Sequence, residues 1–178
     1  MDQALAYSLS DDDLRRLNPH TKLLLYEDVK NFPTIDHLLH PYNCAIILYE
    51  WKRTKDASIG HYIAVLKLPD GTIEHFDSYG IKPDRELKQI KDKSDAYKKM
   101  TGQDQQYLLK LYIKSPRPIS YNQYKLQSIN DGISTCGRFS ALRTIFKNLS
   151  LEQFKDLFMG KRNTPDEIAV MMTQKNIL

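Results

Sequence analysis

The stretch GHYIAVLKLPDGTIEHFDSY, residues 60–79, constrains this chain more than any other, because it carries its own strand register. Pro69, Asp70 and Gly71 suit a three-residue hairpin loop in which the glycine takes the left-handed position, and that loop sets Leu68 opposite Thr72. Directly opposed residues then have numbers that sum to 140. His61 falls opposite Tyr79 and Asp77 opposite Ile63, which makes His61 and Asp77 diagonal neighbours on one face, roughly 7 to 8 Å apart at the backbone. A carboxylate so placed accepts from one imidazole nitrogen, fixes the ring and favours its protonated form, leaving the other nitrogen to face a third group. A two-residue turn would put the pair on opposite faces, so the inference depends on the register.

The rest of the chain reads as α+β. SDDDLRRL has Ser10 as an N-cap and acids in its first turn, which predicts a short helix ending near Asn18 and Pro19. NCAIILYEW is an apolar run without polar alternation and predicts a strand covered on both faces. GHYIAVLKL and TIEHFDSY are the hairpin strands, and QQYLLKLYIKS is read as a fourth strand. Phe139, Leu142, Ile145, Phe146 and Leu149 recur at helical spacing in CGRFSALRTIFKNL. SLEQFKDLF opens with Ser150 three residues before Gln153, a capping box, and TPDEIAVMMTQ opens with Thr164 as cap and Pro165 in the first position. KQIKDKSDAYKK alternates in charge sign, with Leu87, Ile90, Tyr97 and Met100 as its apolar side, and is read as a solvated helix face.

Length and composition narrow the class. A chain of 178 residues, 41% hydrophobic and without internal repeats, suits one domain spanning 1–178. No apolar stretch reaches the roughly 18 residues of a membrane span, and MDQALAYSLSDDD lacks the basic and apolar regions of a signal peptide. The expectation is an intracellular, reducing setting with no membrane association. Two cysteines build no disulfide framework, and no Cys/His spacing suggests a metal, so neither metal nor cofactor is expected. A net charge of +4, with lysines spread along the chain and a second basic cluster in WKRTK, leaves weak DNA binding as a minor expectation.

Cys136 supplies the third group. With Ser134 or Thr135 near the cap, its sulfur sits at the positive end of a helix dipole, where a thiolate is favoured. An imidazolium beside it activates the thiol further. Gly137 gives a substrate backbone room, the Cys136 amide can donate to an oxyanion, and Gln127 is the upstream neutral amide best placed to be a second donor. Tyr79 and Trp51 either line a groove or pack in the core. The bland alternative is a small buried thiol and a structural histidine. For Cys44, inside the apolar NCAII, the bland reading is preferred, as it is for His20, His37, His40 and His75.

The ordered set GHYIAVLK, HFDSYG, LQS and TCGRF resembles the adenain-type cysteine peptidases, the group of the adenovirus maturation protease and, more distantly, the SUMO-specific proteases. The order His, acid, Gln, Cys is the reverse of the papain order. The likeness runs from about Leu9 to Leu149 and includes HPYNCAIILYE and DSYGIKPDRELKQI; among viral members the short length and the terminal TPDEIAVMMTQ are most similar to maturation proteases of virophages and related large-DNA-virus elements. The resemblance implies a central mixed, mostly antiparallel sheet flanked by helices, with the nucleophile at the start of a central helix. It also implies Cys136 as nucleophile, His61 as general base and then acid, Asp77 as orienter and Gln127 as oxyanion donor. Three features depart from the pattern: the acid is aspartate rather than glutamate, Tyr62 stands where tryptophan is usual, and SINDGIST lengthens the gap from Gln127 to Cys136. Asn130 and Gln123 are therefore alternatives for the oxyanion role.

By the same resemblance the substrates are viral capsid or core precursors with small residues near the scissile bond. The backbone threads a narrow groove over His61 and its neighbour Tyr62. A monomer acting in the virion and the infected cell's cytoplasm is expected. Two rival readings stand beside this one: a peptidase that deconjugates ubiquitin-like proteins, or an acyltransferase with the same triad; and a non-catalytic capsid- or DNA-binding module.

Overall fold

The computed structural model describes residues 1–54, 58–90, 94–130 and 132–176. Two short helices, α1 (Asp2–Ala6) and α2 (Asp11–Leu17), lead into strand β1 (Lys22–Leu25), a 3-10 turn and α3 (Ile35–Leu39). Three strands follow, β2 (Cys44–Arg53), β3 (Ser58–Lys67) and β4 (Ile73–Phe76), then a 3-10 helix over Glu86–Ile90. The remaining elements are α4 (Asp95–Met100), α5 (Tyr107–Lys114), β5 (Ile119–Tyr121), α6 (Cys136–Ile145), α7 (Leu151–Asp156), α8 (Pro165–Thr173) and a 3-10 turn over Gln174–Asn176. The strands form one mixed sheet in the order β1-β2-β3-β4-β5. Its long central pairings, β2 with β3 and β3 with β4, are antiparallel, and the edge strands β1 and β5 join in parallel.

The β3–β4 hairpin has the predicted register. Ala64 pairs with Phe76, Val65 with His75, Leu66 with Glu74 and Lys67 with Ile73. The Leu68 amide donates to Thr72 at 2.8 Å, and Gly71 sits at φ +86°, a conformation that other residues adopt at a steric cost. The ladder stops at Phe76: Asp77 and Ser78 turn away, with the Gly80 amide closing on the Asp77 carbonyl at 2.9 Å. From there to Ser58, β3 pairs with β2 alone, which opens one end of the sheet.

Helices cover both faces. Leu66, Ala64 and Tyr62 pack with Phe139 and Leu142 of α6 and with Phe154, Phe158 and Ala169. Ile63 and Val65 pack on the other side with Tyr26, Leu38, Leu108 and Tyr112. This is why β2 shows no polar alternation: Cys44 to Glu50 are all buried. The predicted caps are in place, with capping boxes at Ser10/Asp13, Ser150/Gln153 and Thr164/Glu167 and Pro165 in the first turn of α8.

One element is corrected. QQYLLKLYIKS is the helix α5, whose buried residues Leu108, Leu111 and Tyr112 keep an i, i+3, i+4 spacing while Ile113 is 75% exposed. The strand next to β4 is instead the three-residue β5. In KQIKDKSDAYKK, residues 91–93 lie outside the described residues; Ile90 is buried but Met100 is 56% exposed, so the four apolar residues do not share one face.

Candidate active site

Cys136 is the first residue of α6, a helix buried from Cys136 to Thr144. Such a helix needs its polar side chains satisfied inside the protein. Arg143 forms a two-pronged ion pair with Glu74 of β4 (2.7 and 3.0 Å) and donates to the carbonyls of Phe146 and Leu149. Removing one partner of such a pair would cost about 3–5 kcal/mol, because the other charge stays buried. The clamp ties the helix that begins at Cys136 to the strand that precedes Asp77. Ser140 adds a hydrogen bond to the Tyr62 carbonyl at 3.2 Å. At the helix start, Thr135 gives its hydroxyl to Asp166 and makes no side-chain cap. The first-turn amides, that of Cys136 among them, therefore receive no cap from the Thr135 side chain.

His61 and Asp77 meet as the register predicts, with Nε2 of the ring 2.7 Å from Oδ2 and side-chain exposures of 1% and 0%. Oδ1 of Asp77 accepts from the Tyr79 amide at 2.6 Å, and the Asp77 carbonyl from the Asn122 side chain at 2.6 Å. Nε2 is thus taken, and Nδ1 is the ring nitrogen left for the Cys136 sulfur, the next group that acts on the ring. Burial disfavours the charged ring, but the Asp77 carboxylate, by charge and hydrogen bond, and the Cys136 sulfur outweigh it, and His61 holds its proton well above the ordinary histidine range. Asp77 is desolvated too, yet the His61 charge and hydrogen bond keep its carboxyl below the usual carboxylate value.

Two aromatic rings sandwich the imidazole: Tyr79 at 4.8 Å and 20°, Trp51 at 6.2 Å and 8° between planes. Trp51 gets there through a β-bulge. The β2–β3 register jumps between Glu50 and Lys52, leaving Trp51 unpaired and turned onto the ring. Gly60, opposite Glu50, permits it, since a Cβ there would lie 1.7 Å from the Tyr49 carbonyl oxygen. Both predicted aromatics therefore touch the histidine.

Gln127 is buried, and its Oε1 accepts from the Ser78 hydroxyl at 2.7 Å while its amide donates to the Ser78 carbonyl at 3.0 Å. That fixes the orientation of the side-chain amide and leaves Nε2 as the donor to offer. Gln123 and Asn130, the alternatives, are exposed. Asp131, within SINDGIST, and Lys55, within WKRTK, lie outside the described residues. Tyr62 is buried, and its hydroxyl reaches Asp11 at 3.4 Å; it lines a surface groove with Leu9, Leu25, Leu48 and Ile59. A Cβ on Gly137 would sit 3.3 Å from the Tyr62 ring and 3.4 Å from Leu9, so its missing side chain seats α6 on β3.

Sequence reasoning passed over Ser78, which orients Gln127, and Glu86, a buried acid that acts on Asp77. Ser78 follows Asp77 directly and was open to notice; nothing in DRELKQI marks its glutamate as buried. Cys44 is also buried, its thiol donating to the His20 carbonyl at 3.3 Å, and desolvation pushes that thiol's pKa up. Among the described residues, no cluster of three or more His, Cys, Asp or Glu side chains could hold a metal, and no helix is long and apolar enough to cross a membrane.

No family model matches the chain. Over 166 residues it is 35% identical to the uncharacterized protein V9 of Sputnik virophage, a match covering 91% of each protein. Among solved structures it is similar to the central domain of the uncharacterized Lpg1148 protein from Legionella pneumophila, with 15% identity, 96% of each chain covered and a TM-score of 0.44.

Proposed function

The chain belongs to the family of the Sputnik virophage V9 protein, and on that footing we propose that it is a cysteine endopeptidase of adenain type that cleaves virion precursor proteins. The observation that carries the proposal is the buried line Asp77–His61–Cys136, with a ring that stays charged and a sulfur at a helix start. The Cys136 thiolate attacks a peptide carbonyl. The Cys136 amide and Gln127 Nε2 receive the oxyanion, His61 Nδ1 protonates the leaving amine, and the same nitrogen then activates the water that releases the acyl group. Asp77 holds the ring in the required tautomer throughout. The groove beside Tyr62 takes the substrate backbone, and a viral relative makes structural precursors the natural targets.

Alkylation rates mapped by mass spectrometry test the activation step. Cys136 should react faster than Cys44 near neutral pH, and His61→Ala should abolish the difference. Equal, slow rates in both proteins would remove the nucleophile. Incubation with virophage capsid precursors, and in parallel with ubiquitin-like fusions, then separates maturation cleavage from deconjugation.

A further inference from the structure

Beside Asp77 lies a second acid that the proposed mechanism does not use. Glu86 opens the 3-10 helix Glu86–Ile90, and its side chain is wholly buried. Among the described residues, no side-chain N–H or O–H donor reaches either carboxyl oxygen, and the one N–H that favours its charged form is Glu86's own backbone amide. The group its carboxyl meets is that of Asp77, and each acid bears on the other's titration through that contact.

The groups around Glu86 decide which acid keeps the charge. On β4, His75 turns Nε2 toward Oε1, but at 3.6 Å the separation exceeds a hydrogen bond, and its Nδ1 is engaged by the Tyr112 hydroxyl of α5 at 3.1 Å. Tyr49 of β2 gives its hydroxyl to Asp84 at 2.9 Å. Asp84 is saturated by that bond, by Tyr26 at 2.9 Å and by the Leu109 amide at 2.7 Å. Asp77, in contrast, has an imidazolium and a backbone amide on its oxygens. Two carboxylates in contact in a dry site cannot both ionise, and the one with the cation and the donors keeps its charge.

We propose that Glu86 is a neutral carboxylic acid that donates its proton to Asp77, a positioning residue that fixes the orienting carboxylate from behind. The titration tendencies agree. Desolvation and the Asp77 charge push Glu86 well above the ordinary glutamate range, and desolvation lowers His75 to about 4, so no cation stands by to pair with an ionised Glu86. The proton makes the contact with Asp77 attractive, holding Asp77 square to Nε2 without adding a charge that would compete for the ring.

The catalytic consequence rests on the peptidase reading; the protonation state does not, and the two are measured separately. Infrared difference spectra of glutamate-labelled protein, wild type minus Glu86→Gln at neutral pH, should show one protonated-carboxyl band that the variant lacks. Absence of the band overturns the proposal. Gln, which also donates to Asp77, should leave the His61 NMR titration in place, whereas a fall of about one pH unit would mean that an anion had been removed, and the proposal fails. Glu86→Leu, checked for folding by circular dichroism, should slow Cys136 alkylation or kcat roughly tenfold, the worth of one charge-assisted hydrogen bond, at unchanged KM. If the band is present and the wild type cleaves no peptide, the buried acid stands and the peptidase reading falls.

Discussion

His61 and His75 lie on neighbouring strands of one sheet, both fully buried, and hold opposite charge states. His61 is paired with an ionised carboxylate at 2.7 Å and stays protonated far above the usual range. His75 has a tyrosine hydroxyl and a carboxyl 3.6 Å away, and burial lowers it to about 4. Burial alone pushes both rings toward neutrality; only a charge at contact distance reverses it. The ionised carboxylate at contact stands beside His61 and not beside His75, and that alone puts the proton on one ring and leaves the other neutral.

The strongest way to break the comparison is to remove the charge or its recipient. If the peptidase reading holds, His61→Ala should abolish precursor cleavage, a loss on the order of 10⁴-fold or more in kcat. Asp77→Asn keeps the shape and removes the charge. It should bring His61 down toward the state of His75, and cost roughly a hundredfold less than His61→Ala. NMR titration of the ring beside a cleavage assay reads both effects. An Asp77→Asn protein whose His61 still titrates high would show that the charge comes from elsewhere.

The pH dependence of stability separates the histidines next, with opposite signs. The stabilisation from His61 is complete below its unfolded value of about 6.5 and is lost as pH rises through its raised folded value. For His75 the neutral form is the folded one, so its contribution is present above about 6.5 and is lost as pH falls toward about 4, on the order of 3 kcal/mol. Glu86, raised by burial, slopes the other way in that window, so wild type alone does not isolate the effect. His75→Asn keeps an acceptor for Tyr112 and removes the titration. Urea unfolding at pH 7 and pH 4.5 should show the variant losing less stability than wild type on acidification, and parallel losses would refute the assignment.

What the sequence discloses follows from how local each determinant is. A three-residue loop fixed the hairpin, and with it the meeting of His61 and Asp77 across 16 positions. Caps are signals of a few residues: the box at Ser150 and the N-caps at Ser10 and Thr164 were legible, and the structure completes the latter two as boxes with Asp13 and Glu167. The helix α5 was lost because its apolar residues also alternate in part, and the three residues of β5 are too few to show a period. The Trp51 bulge depends on Gly60 in the facing strand, and the burial of Glu86 on a loop that folds back beneath β4; neither leaves a local trace.

The smallest expected effect sharpens the comparison at its charged end. His61 lies between Tyr79 and Trp51, and an imidazolium gains from π faces that a neutral ring does not need. His75 meets its tyrosine edge-on, at 83° between planes, and among the described residues has no such cover. Tyr79→Leu keeps an apolar lid of similar bulk, so desolvation persists while the π face is lost, and His61 should titrate about one pH unit lower. Trp51→Leu should shift it less, because at 6.2 Å its ring stands near the limit of the interaction. If the ring titrates higher in Tyr79→Leu, water has entered and solvation outweighs the π face; the lid's work would then be to keep the site dry. A larger shift from Trp51 than from Tyr79 would make the bulge, and not the turn after Asp77, the feature that tunes the His61 proton.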